Sequence, residues 1–306
     1  MQRIVNELEK TVFGQRQNIL LMLTAFLAGG HVLLEGVPGL GKTKMVRTLA
    51  RLMDGDYRRI QFTPDMMPSD IVGNVVYNMK EGQFQTIKGP VFTNLLLADE
   101  INRTPPKTQA ALLEAMEERQ VTIQGSTFRL PDPFFVAATQ NPVEYEGTYP
   151  LPEAQLDRFM FKLIVGYPPP EQEKAVLTNH VPYYEEMERK VEPVLSLERI
   201  REKREEMDRV VVEDGIVDYV LAIVQRTRDT KRVLLGASPR AGIFILLAAK
   251  AWAVLDGRGY VTPDDVKVVA LPALRHRLIT APQFELEGGT SEQVVKEILG
   301  SIPVPR

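Results

Sequence analysis

The sequence predicts an α/β domain built on a parallel sheet, followed by a smaller all-α domain, and three observations predict this architecture. Apolar strand-like runs alternate with helical patterns over residues 1–166, as in a parallel sheet covered by helices. Three consecutive prolines at 168–170 then interrupt both patterns, so a linker is expected there. Beyond the prolines the patterns are almost entirely helical. We therefore expect an α/β domain over residues 1–166 and a helical domain over residues 171–306.

Five segments are expected to form the central sheet. Several of them are continuously apolar instead of alternating, as strands covered on both faces are. In chain order the five are Val32–Glu35, Tyr57–Phe62, Asn94–Asp99, Phe134–Thr139 and Phe161–Val165. Two further pairs of short strands flank turn dipeptides and are expected to be hairpin insertions. The first pair is Val75–Lys80 with Gln83–Ile87, and the second is Val121–Gln124 with Thr127–Leu130.

The helical domain contains recognisable helix starts. Ser196 and Ser238 are expected to be N-caps, and Pro239 follows the second of them at the first helical position. Thr262 precedes a proline and two aspartates and predicts another helix start of the same kind. The segment 199–209 has charges of opposite sign three or four residues apart, which predicts a solvated helix face.

Four aromatic side chains indicate structure rather than chemistry. His31, His180 and His276 are scattered, with no second ligand at a spacing typical of metal sites, so a catalytic zinc is not expected. Trp252 lies within an apolar helical run and is expected to be a core residue.

Composition restricts the class of protein. The chain has 306 residues, of which 44% are hydrophobic and 25% charged, as in an ordinary globular protein. The formal charge of −3 gives no broad attraction to nucleic acid or membranes, although a local groove could still be basic. The sequence has no cysteine, which excludes disulfides and thiolate metal sites. The N-terminus lacks a signal-peptide core and no apolar stretch is long enough to span a bilayer, so we expect a cytoplasmic protein without a membrane span.

The segment 36–43 matches the phosphate-binding loop pattern G-x-x-x-x-G-K-[ST], and it lies between a predicted strand and a predicted helix. In such a loop the backbone N–H groups and the helix N-terminus surround the phosphates. Lys42 would reach the β- and γ-phosphates, and the Thr43 hydroxyl would ligate Mg²⁺. The expected nucleotide contacts from this segment are Gly36, Val37, Pro38, Gly39, Leu40, Gly41, Lys42, Thr43 and Lys44.

Two carboxylates end the third predicted strand of the sheet. Asp99 and Glu100 follow an apolar run, and the carboxyl edge of a parallel sheet faces the ligand crevice. Asp99 is expected to hold Mg²⁺ with Thr43, while Glu100 is expected to polarise the attacking water. Taken alone, such a strand end is often only a pair of solvated acids. Its position after the phosphate-binding loop favours the functional interpretation.

Several separate motifs resemble those of the AAA+ ATPases and, within them, the MoxR family. They are 36–43, 96–103, Ala138-Thr139-Gln140-Asn141-Pro142, 151–159 and Ser238-Pro239-Arg240-Ala241. A further segment, Val12-Phe13-Gly14-Gln15, resembles the one that packs against adenine in such ATPases, which adds Phe13 and Gly14 to the expected nucleotide contacts. The resemblance covers nearly the whole chain. It implies a P-loop AAA+ core with hairpin insertions and a helical lid.

The resemblance also implies roles for three residues beyond the two strand-end carboxylates. Asn141 would bond the γ-phosphate and the attacking water, although an Asn-Pro turn would explain it too. Arg158 would act as an arginine finger in the neighbouring subunit's site, the alternative being a surface ion pair with Asp157. Arg103 is a rival for this role. Arg240 would act as the family's second sensor rather than as a solvated helix residue.

The insertion after the second strand resembles one that MoxR proteins share with magnesium-chelatase ATPase subunits and MCM helicases, the helix-2-insert group. Tyr77 and Phe84 on its hairpin are candidates for contact with a client protein. The alternative is that at least one of them packs the hairpin against the domain. Met66 and Met67 are adaptable apolar surface, suited to a core or to a changing interface.

Together these expectations describe a Mg-ATP-hydrolysing ring of this chain, with six subunits implied by the resemblance. Its output would be chaperone-like maturation of partner protein complexes, including metal-cofactor insertion, through a partner with a von Willebrand A domain. One alternative is a DNA-acting motor or helicase loader, against which the net negative charge and the lack of a basic-aromatic stripe count. Another is a nucleotide-gated scaffold with little turnover, which would need neither a general base nor a finger.

Overall fold

The computed structural model describes Glu7, Val12 and residues 14–142, 147–178 and 195–305. The chain falls into two compact units. The first comprises Met1–Leu20, His31–Arg158 and Ile164–Leu197, and the second comprises Leu21–Gly30, Phe159–Leu163 and Glu198–Arg306. The domain boundary that the sequence predicts at residues 167–170 stays a prediction.

The described strands and helices are numbered separately in chain order. The strands are β1 (Val32–Glu35), β2 (Met53–Asp54), β3 (Tyr57–Gln61), β4 (Gly73–Asn78), β5 (Gln83–Lys88), β6 (Leu95–Asp99), β7 (Gln120–Ile123), β8 (Ser126–Arg129), β9 (Phe135–Gln140), β10 (Phe161–Ile164), β11 (Leu195–Ser196), β12 (Val233–Leu235) and β13 (Ile279–Thr280). The helices are α1 (Arg16–Leu27), α2 (Lys42–Leu52), α3 (Pro68–Val72), α4 (Pro106–Glu118), α5 (Glu153–Leu156), α6 (Pro170–Thr178), α7 (Leu197–Asp208), α8 (Asp214–Arg228), α9 (Pro239–Leu255), α10 (Pro263–Leu274), α11 (Pro282–Leu286) and α12 (Ser291–Ser301).

The central sheet has five strands in the spatial order β10-β1-β9-β6-β3. The pairs β1–β9, β9–β6 and β6–β3 are parallel. All five strands were expected from the sequence, and each observed strand lies within about one residue of its predicted bounds. The prediction of a parallel α/β sheet is therefore confirmed.

Burial along the strands explains why the sequence pattern was informative. Every residue of β6 is buried, and all of β9 except Gln140 is buried too, as expected for strands in the middle of a covered sheet. In β3, at the edge, Ile60 is buried while its neighbours are half-buried or exposed. Because the strands are parallel, their carboxyl ends meet at one edge, where Gln61 lies opposite Asp99.

Both predicted hairpins are present in the first unit. Strands β4 and β5 pair antiparallel and place Tyr77 opposite Phe84, while β7 and β8 pair around Gly125. The two aromatic rings of the first hairpin are 54% and 75% exposed and lie edge to face, 5.3 Å between centroids. Both rings are therefore largely exposed on the hairpin, and contact with a client protein stays a prediction.

Most predicted helix starts of the second unit are observed. Thr262 and Asp265 form a capping box at the start of α10, with the Thr262 N–H donating to Asp265 Oδ2 at 2.7 Å. Ser238 precedes Pro239 at the start of α9, but its side chain makes no cap hydrogen bond. In the first unit, Ser196 ends the short strand β11 just before α7 begins.

The expectation of a purely helical second part needs correction. Strands β12 and β13 pair antiparallel within the second unit. Segments of two or three residues are too short to produce a periodic pattern, so the sequence could not reveal them. Trp252 is half-buried rather than part of the core.

Two of the three histidines, His31 and His276, contact backbone groups. The third, His180, lies outside the described residues. The Nδ1 atom of His31 accepts the Val136 N–H at 3.0 Å, and its Nε2 lies 3.2 Å from the Met116 carbonyl oxygen. His276 Nε2 lies 3.0 Å from the Phe159 carbonyl oxygen, and burial holds the His276 pKa well below its usual value. Both histidines are buried and contact backbone groups, and His276 Nδ1 is a buried atom without a hydrogen-bond partner.

Candidate functional site

The phosphate-binding loop joins β1 to α2. Gly41 precedes the helix with φ of 82°, in the left-handed region that favours glycine. Gly36 is required for a different reason, because a Cβ there would lie 2.4 Å from the Val165 carbonyl oxygen. The backbone conformation therefore explains the glycine at 41, and the close approach of the Val165 carbonyl explains the glycine at 36.

Lys42 points back into the loop. Its Nζ atom donates to the carbonyl oxygens of Gly36 and Gln140, the latter at 3.1 Å. Gly36 follows β1 and Gln140 ends β9, so the ammonium lies at the carboxyl edge of two neighbouring strands. A positive charge at this edge is suited to an anionic ligand.

Asp99 is buried at the end of β6 and both of its carboxylate oxygens are engaged. Oδ1 accepts the Thr139 hydroxyl at 2.6 Å. Oδ2 accepts the Thr43 hydroxyl at 3.2 Å and two guanidinium N–H groups of Arg59, at 3.1 and 2.8 Å. The carboxylate is thereby fixed between the loop, β9 and β3.

Glu100 has a backbone conformation that non-glycine residues rarely adopt, with φ of 58° and ψ of 49°. Its N–H donates to Thr139 Oγ1 at 2.9 Å. Its carboxylate accepts from Gln61 Nε2 at 2.6 Å and lies 3.2 Å from Arg103 Nε. Left-handed backbone at a non-glycine residue is a feature that clusters at functional sites.

A cavity of about 420 Å³ opens at this edge of the sheet. Its lining includes Asn141, which is buried directly after β9, where the sequence predicted a phosphate-contacting amide. The full lining is Pro38, Gly39, Leu40, Gly41, Lys42, Thr43, Lys44, Arg59, Gln61, Asp99, Glu100, Thr139 and Asn141. Gly36 and Val37 belong to the loop without lining the cavity.

The donor set suits Mg²⁺. Thr43 Oγ1 and Asp99 Oδ2 are hard oxygen atoms 3.2 Å apart beside the cavity. Within the described residues there is no group of three or more His, Cys, Asp or Glu side chains that could hold a metal. Magnesium is usually held by one or two protein oxygens together with substrate phosphates, so a sparse site of this kind fits it.

Arg158 lies away from this cavity. Its Nε atom is 3.1 Å from Glu117 Oε2, and the residue lines a second cavity of about 500 Å³ together with Glu114, Glu118 and Gln155. Its partner in the structure is therefore Glu117. Its rival Arg103 is instead paired with Glu100, which lines the first cavity.

The remaining predicted residues are placed as follows. Arg240 lies in the second unit, in the first turn of α9. Gly14 is described and has φ of 75°, and the neighbouring Gln15 side chain donates to the Gly166 carbonyl oxygen at 3.0 Å. Phe13 lies outside the described residues. The roles of all these residues stay predictions.

Three residues that the sequence analysis missed line the cavity: Arg59, Gln61 and Thr139. Thr139 belongs to a motif that was noted, but no role was assigned to it. A usable signal existed for Gln61 and Thr139, because each is a polar residue near the carboxyl end of a predicted parallel strand, whereas Arg59 lies in the middle of its strand. What the sequence lacked was the strand order that brings β3 and β9 to either side of β6.

Two family models match the chain. Residues 31–161 match the model described as "ATPase family associated with various cellular activities (AAA)", and residues 225–298 match the AAA lid domain. In the part of the chain that the structure describes, no helix is long and apolar enough to cross a membrane.

Relatives cover the chain almost end to end. It is 49% identical to the protein YeaC of Bacillus subtilis (strain 168), over 99% of this chain and 94% of that protein. It is 43% identical to Chaperone MoxR1 of Mycobacterium tuberculosis, over 100% and 82% respectively, and 31% identical to Protein MoxR of Methylorubrum extorquens, over 99% and 94%. A crystal structure of a protein from Cytophaga hutchinsonii, provisionally designated an ATPase, superposes with a TM-score of 0.90 at 44% identity, covering 100% of this chain and 94% of that one.

Proposed function

Because the chain belongs to the MoxR family of AAA+ ATPases and is an ATP hydrolase, we propose that it works as a closed ring that hydrolyses Mg-ATP at its subunit boundaries and remodels a partner protein. The ring has six subunits, as the family resemblance implies. Each nucleotide is held by the loop of one subunit and is completed by Arg158 of the next, in a head-to-tail interface that closes.

The position of Arg158 is the observation that supports this proposal best. The groups expected to hold phosphate and metal converge on one cavity, whereas Arg158 lines another and pairs with Glu117 at 3.1 Å. A guanidinium that stabilises a transferring phosphoryl group has to reach it, and a neighbouring subunit's nucleotide gives Arg158 such a target. Arg103 is less suited to this role because it is engaged with Glu100 of its own chain.

Within one site the residues divide the chemistry. Lys42 and the loop N–H groups bind the phosphates, and Thr43 and Asp99 hold Mg²⁺. Bound magnesium neutralises charge on the phosphate oxygens. Glu100 polarises the attacking water, and Asn141 orients it from the end of β9.

The mechanical output is directed at a client protein. One relative is named Chaperone MoxR1, which supports a chaperone-like role for this chain. The exposed pair Tyr77 and Phe84 on the β4–β5 hairpin offers apolar surface for such a client. We propose that a partner with a von Willebrand A domain recruits the client. Remodelling of the client then serves complex assembly or metal-cofactor insertion. Arg240 in the second unit is proposed to sense nucleotide state.

The test measures ATP hydrolysis against protein concentration, with light scattering on the same samples. Specific activity is expected to rise as the protein assembles. Arg158→Ala is expected to assemble and bind ATP but to lose at least about a thousandfold in turnover, the effect of removing an arginine finger. Glu100→Gln is expected to bind ATP without hydrolysing it.

Mixing the two inactive variants provides the decisive control. Arg158→Ala has an intact site without a finger, and Glu100→Gln has a finger but no base. In an equal random mixture about one quarter of the interfaces combine the intact halves, so about that share of activity should return. Activity that is independent of concentration, with full turnover by Arg158→Ala, would show that the shared-site ring is wrong. Unchanged slow turnover in Glu100→Gln would indicate a nucleotide-gated scaffold.

A further inference from the structure

Arg59 places a positive charge of the protein itself on the carboxylate expected to hold metal. Its Nε and Nη2 atoms lie 3.1 and 2.8 Å from Asp99 Oδ2. The Arg59 side chain is 50% exposed, whereas that of Asp99 is 9% exposed. The arginine therefore approaches from the cavity side, toward an acid fixed in the protein.

The contacted oxygen is the one that faces the phosphate-binding loop. Asp99 Oδ2 also accepts the Thr43 hydroxyl at 3.2 Å, whereas Oδ1 is occupied by the Thr139 hydroxyl at 2.6 Å. A cation coordinated by Thr43 and Asp99 would thus need the same oxygen that Arg59 uses. Two positive charges cannot share one carboxylate oxygen without mutual repulsion.

We propose that Arg59 is a resident competitor of the divalent metal, which gives up Asp99 Oδ2 when metal and nucleotide bind. This inference rests on the proposed function, because it requires Asp99 to be a metal ligand. Arg59 keeps a hydrogen-bond partner when it leaves Asp99, because its Nη2 atom already donates to Gln61 Oε1 at 2.8 Å. It also lines the cavity, where the phosphates of a nucleotide attract its charge.

Arg59 could either compete with the metal for Asp99 or hold Asp99 in place for it, and these two roles predict opposite effects of removing Arg59. If Arg59 only holds Asp99 in place, its removal loosens the carboxylate and weakens metal binding. If it competes, its removal strengthens metal binding. The pair is partly exposed, so the expected gain is modest.

The experiment is a Mn²⁺ titration of the full-length protein with ADP in excess, followed by the electron paramagnetic resonance signal of free Mn²⁺. Arg59→Gln is expected to lower the half-saturating Mn²⁺ concentration by about two- to fivefold. Arg59→Lys keeps the charge and is expected to stay within about twofold of the wild type. Arg58→Gln on the same strand is the matched control, because Arg58 does not line the cavity, and it should leave the titration unchanged.

Arg59→Met repeats the test with a second neutral side chain in case the glutamine variant is unstable. Unchanged or weaker Mn²⁺ binding in the neutral variants, with binding by the wild type intact, overturns the competition and leaves the proposed function standing. If the wild type shows no Mn²⁺ binding that depends on ADP, the proposed function itself is wrong. Because the experiment measures Mn²⁺ binding and not ATP turnover, these outcomes can be distinguished from one another.

Discussion

At the scale of single residues, Thr139 links the two acidic residues at the end of β6, through the Asp99 carboxylate and the Glu100 backbone. Its hydroxyl donates to Asp99 Oδ1 at 2.6 Å and accepts the Glu100 N–H at 2.9 Å. The second of these bonds holds Glu100 in its left-handed backbone conformation. One buried hydroxyl therefore fixes both the proposed metal ligand and the proposed base.

Replacing Thr139 by valine, which keeps the shape and removes the hydroxyl, is expected to reduce turnover by about tenfold or more. It leaves a carboxylate oxygen and an N–H unpaired, which should also lower the free energy of unfolding by about 1–3 kcal/mol. ATP hydrolysis, ADP binding and urea unfolding measure these effects. Thr122→Val, in the exposed hairpin β7–β8, is the control and should change none of them. Normal turnover in Thr139→Val would contradict the linking role.

The sequence predicted Asp99 and Glu100 correctly as a strand end, because an apolar run followed by acids is a local pattern. Their partners were beyond its reach. Arg59 and Gln61 contact these carboxylates only because β3 pairs with β6 in the register that places Gln61 opposite Asp99. Register and strand order are tertiary facts that a single sequence does not display.

At the scale of elements, α7 illustrates how a correct prediction can be incomplete. Its charged pattern predicted a solvated helix, and pairs such as Arg199 with Glu202 at 2.7 Å confirm this. Arg204, however, donates from Nη2 to the Phe26 carbonyl oxygen at 3.1 Å and from Nε to the Leu27 carbonyl oxygen at 3.3 Å. These are the last residues of α1, so the guanidinium satisfies carbonyl groups at a helix C-terminus.

Arg204→Met is accordingly expected to lower the free energy of unfolding by about 1–2 kcal/mol, since it removes charge-assisted bonds to a helix end. The methionine retains part of the apolar stem, which limits the loss to the polar head. Arg199→Met in the same helix removes an exposed ion pair with Glu202 and should cost about 0.5 kcal/mol or less. Urea unfolding of the two variants beside the wild type measures the difference. Equal stability of the two would show that the contact with α1 contributes nothing.

At the scale of the whole molecule, the class of fold followed from local signals. The alternation of strand and helix patterns, the phosphate-binding loop and the proline interruption are all visible in consecutive residues. The strand order β10-β1-β9-β6-β3 is not, because it depends on crossovers between distant segments. For the same reason, the sequence could suggest only by resemblance that Arg158 lies apart from the phosphate-binding loop of its own chain. In the structure the loop lines one cavity and Arg158 lines another.

The pair between Arg158 and Glu117 leads to a prediction about assembly. Both side chains are about one-third exposed, and Nε and Oε2 lie 3.1 Å apart. If Arg158 serves the nucleotide of a neighbouring subunit, it has to exchange Glu117 for phosphate oxygens when the ring forms. Glu117 then opposes assembly by the free energy of this pair, which at such exposure is small.

Glu117→Gln should therefore lower the protein concentration at half-maximal specific activity by about two- to fivefold, with the same plateau. The measurement is the concentration series of ATP hydrolysis used for the ring itself. Glu114→Gln is the matched control, because it removes a charge from the same cavity and leaves the ion pair in place. A plateau that collapses in Glu117→Gln alone would mean that Glu117 orients Arg158 for catalysis, and that the pair is kept in the assembled ring.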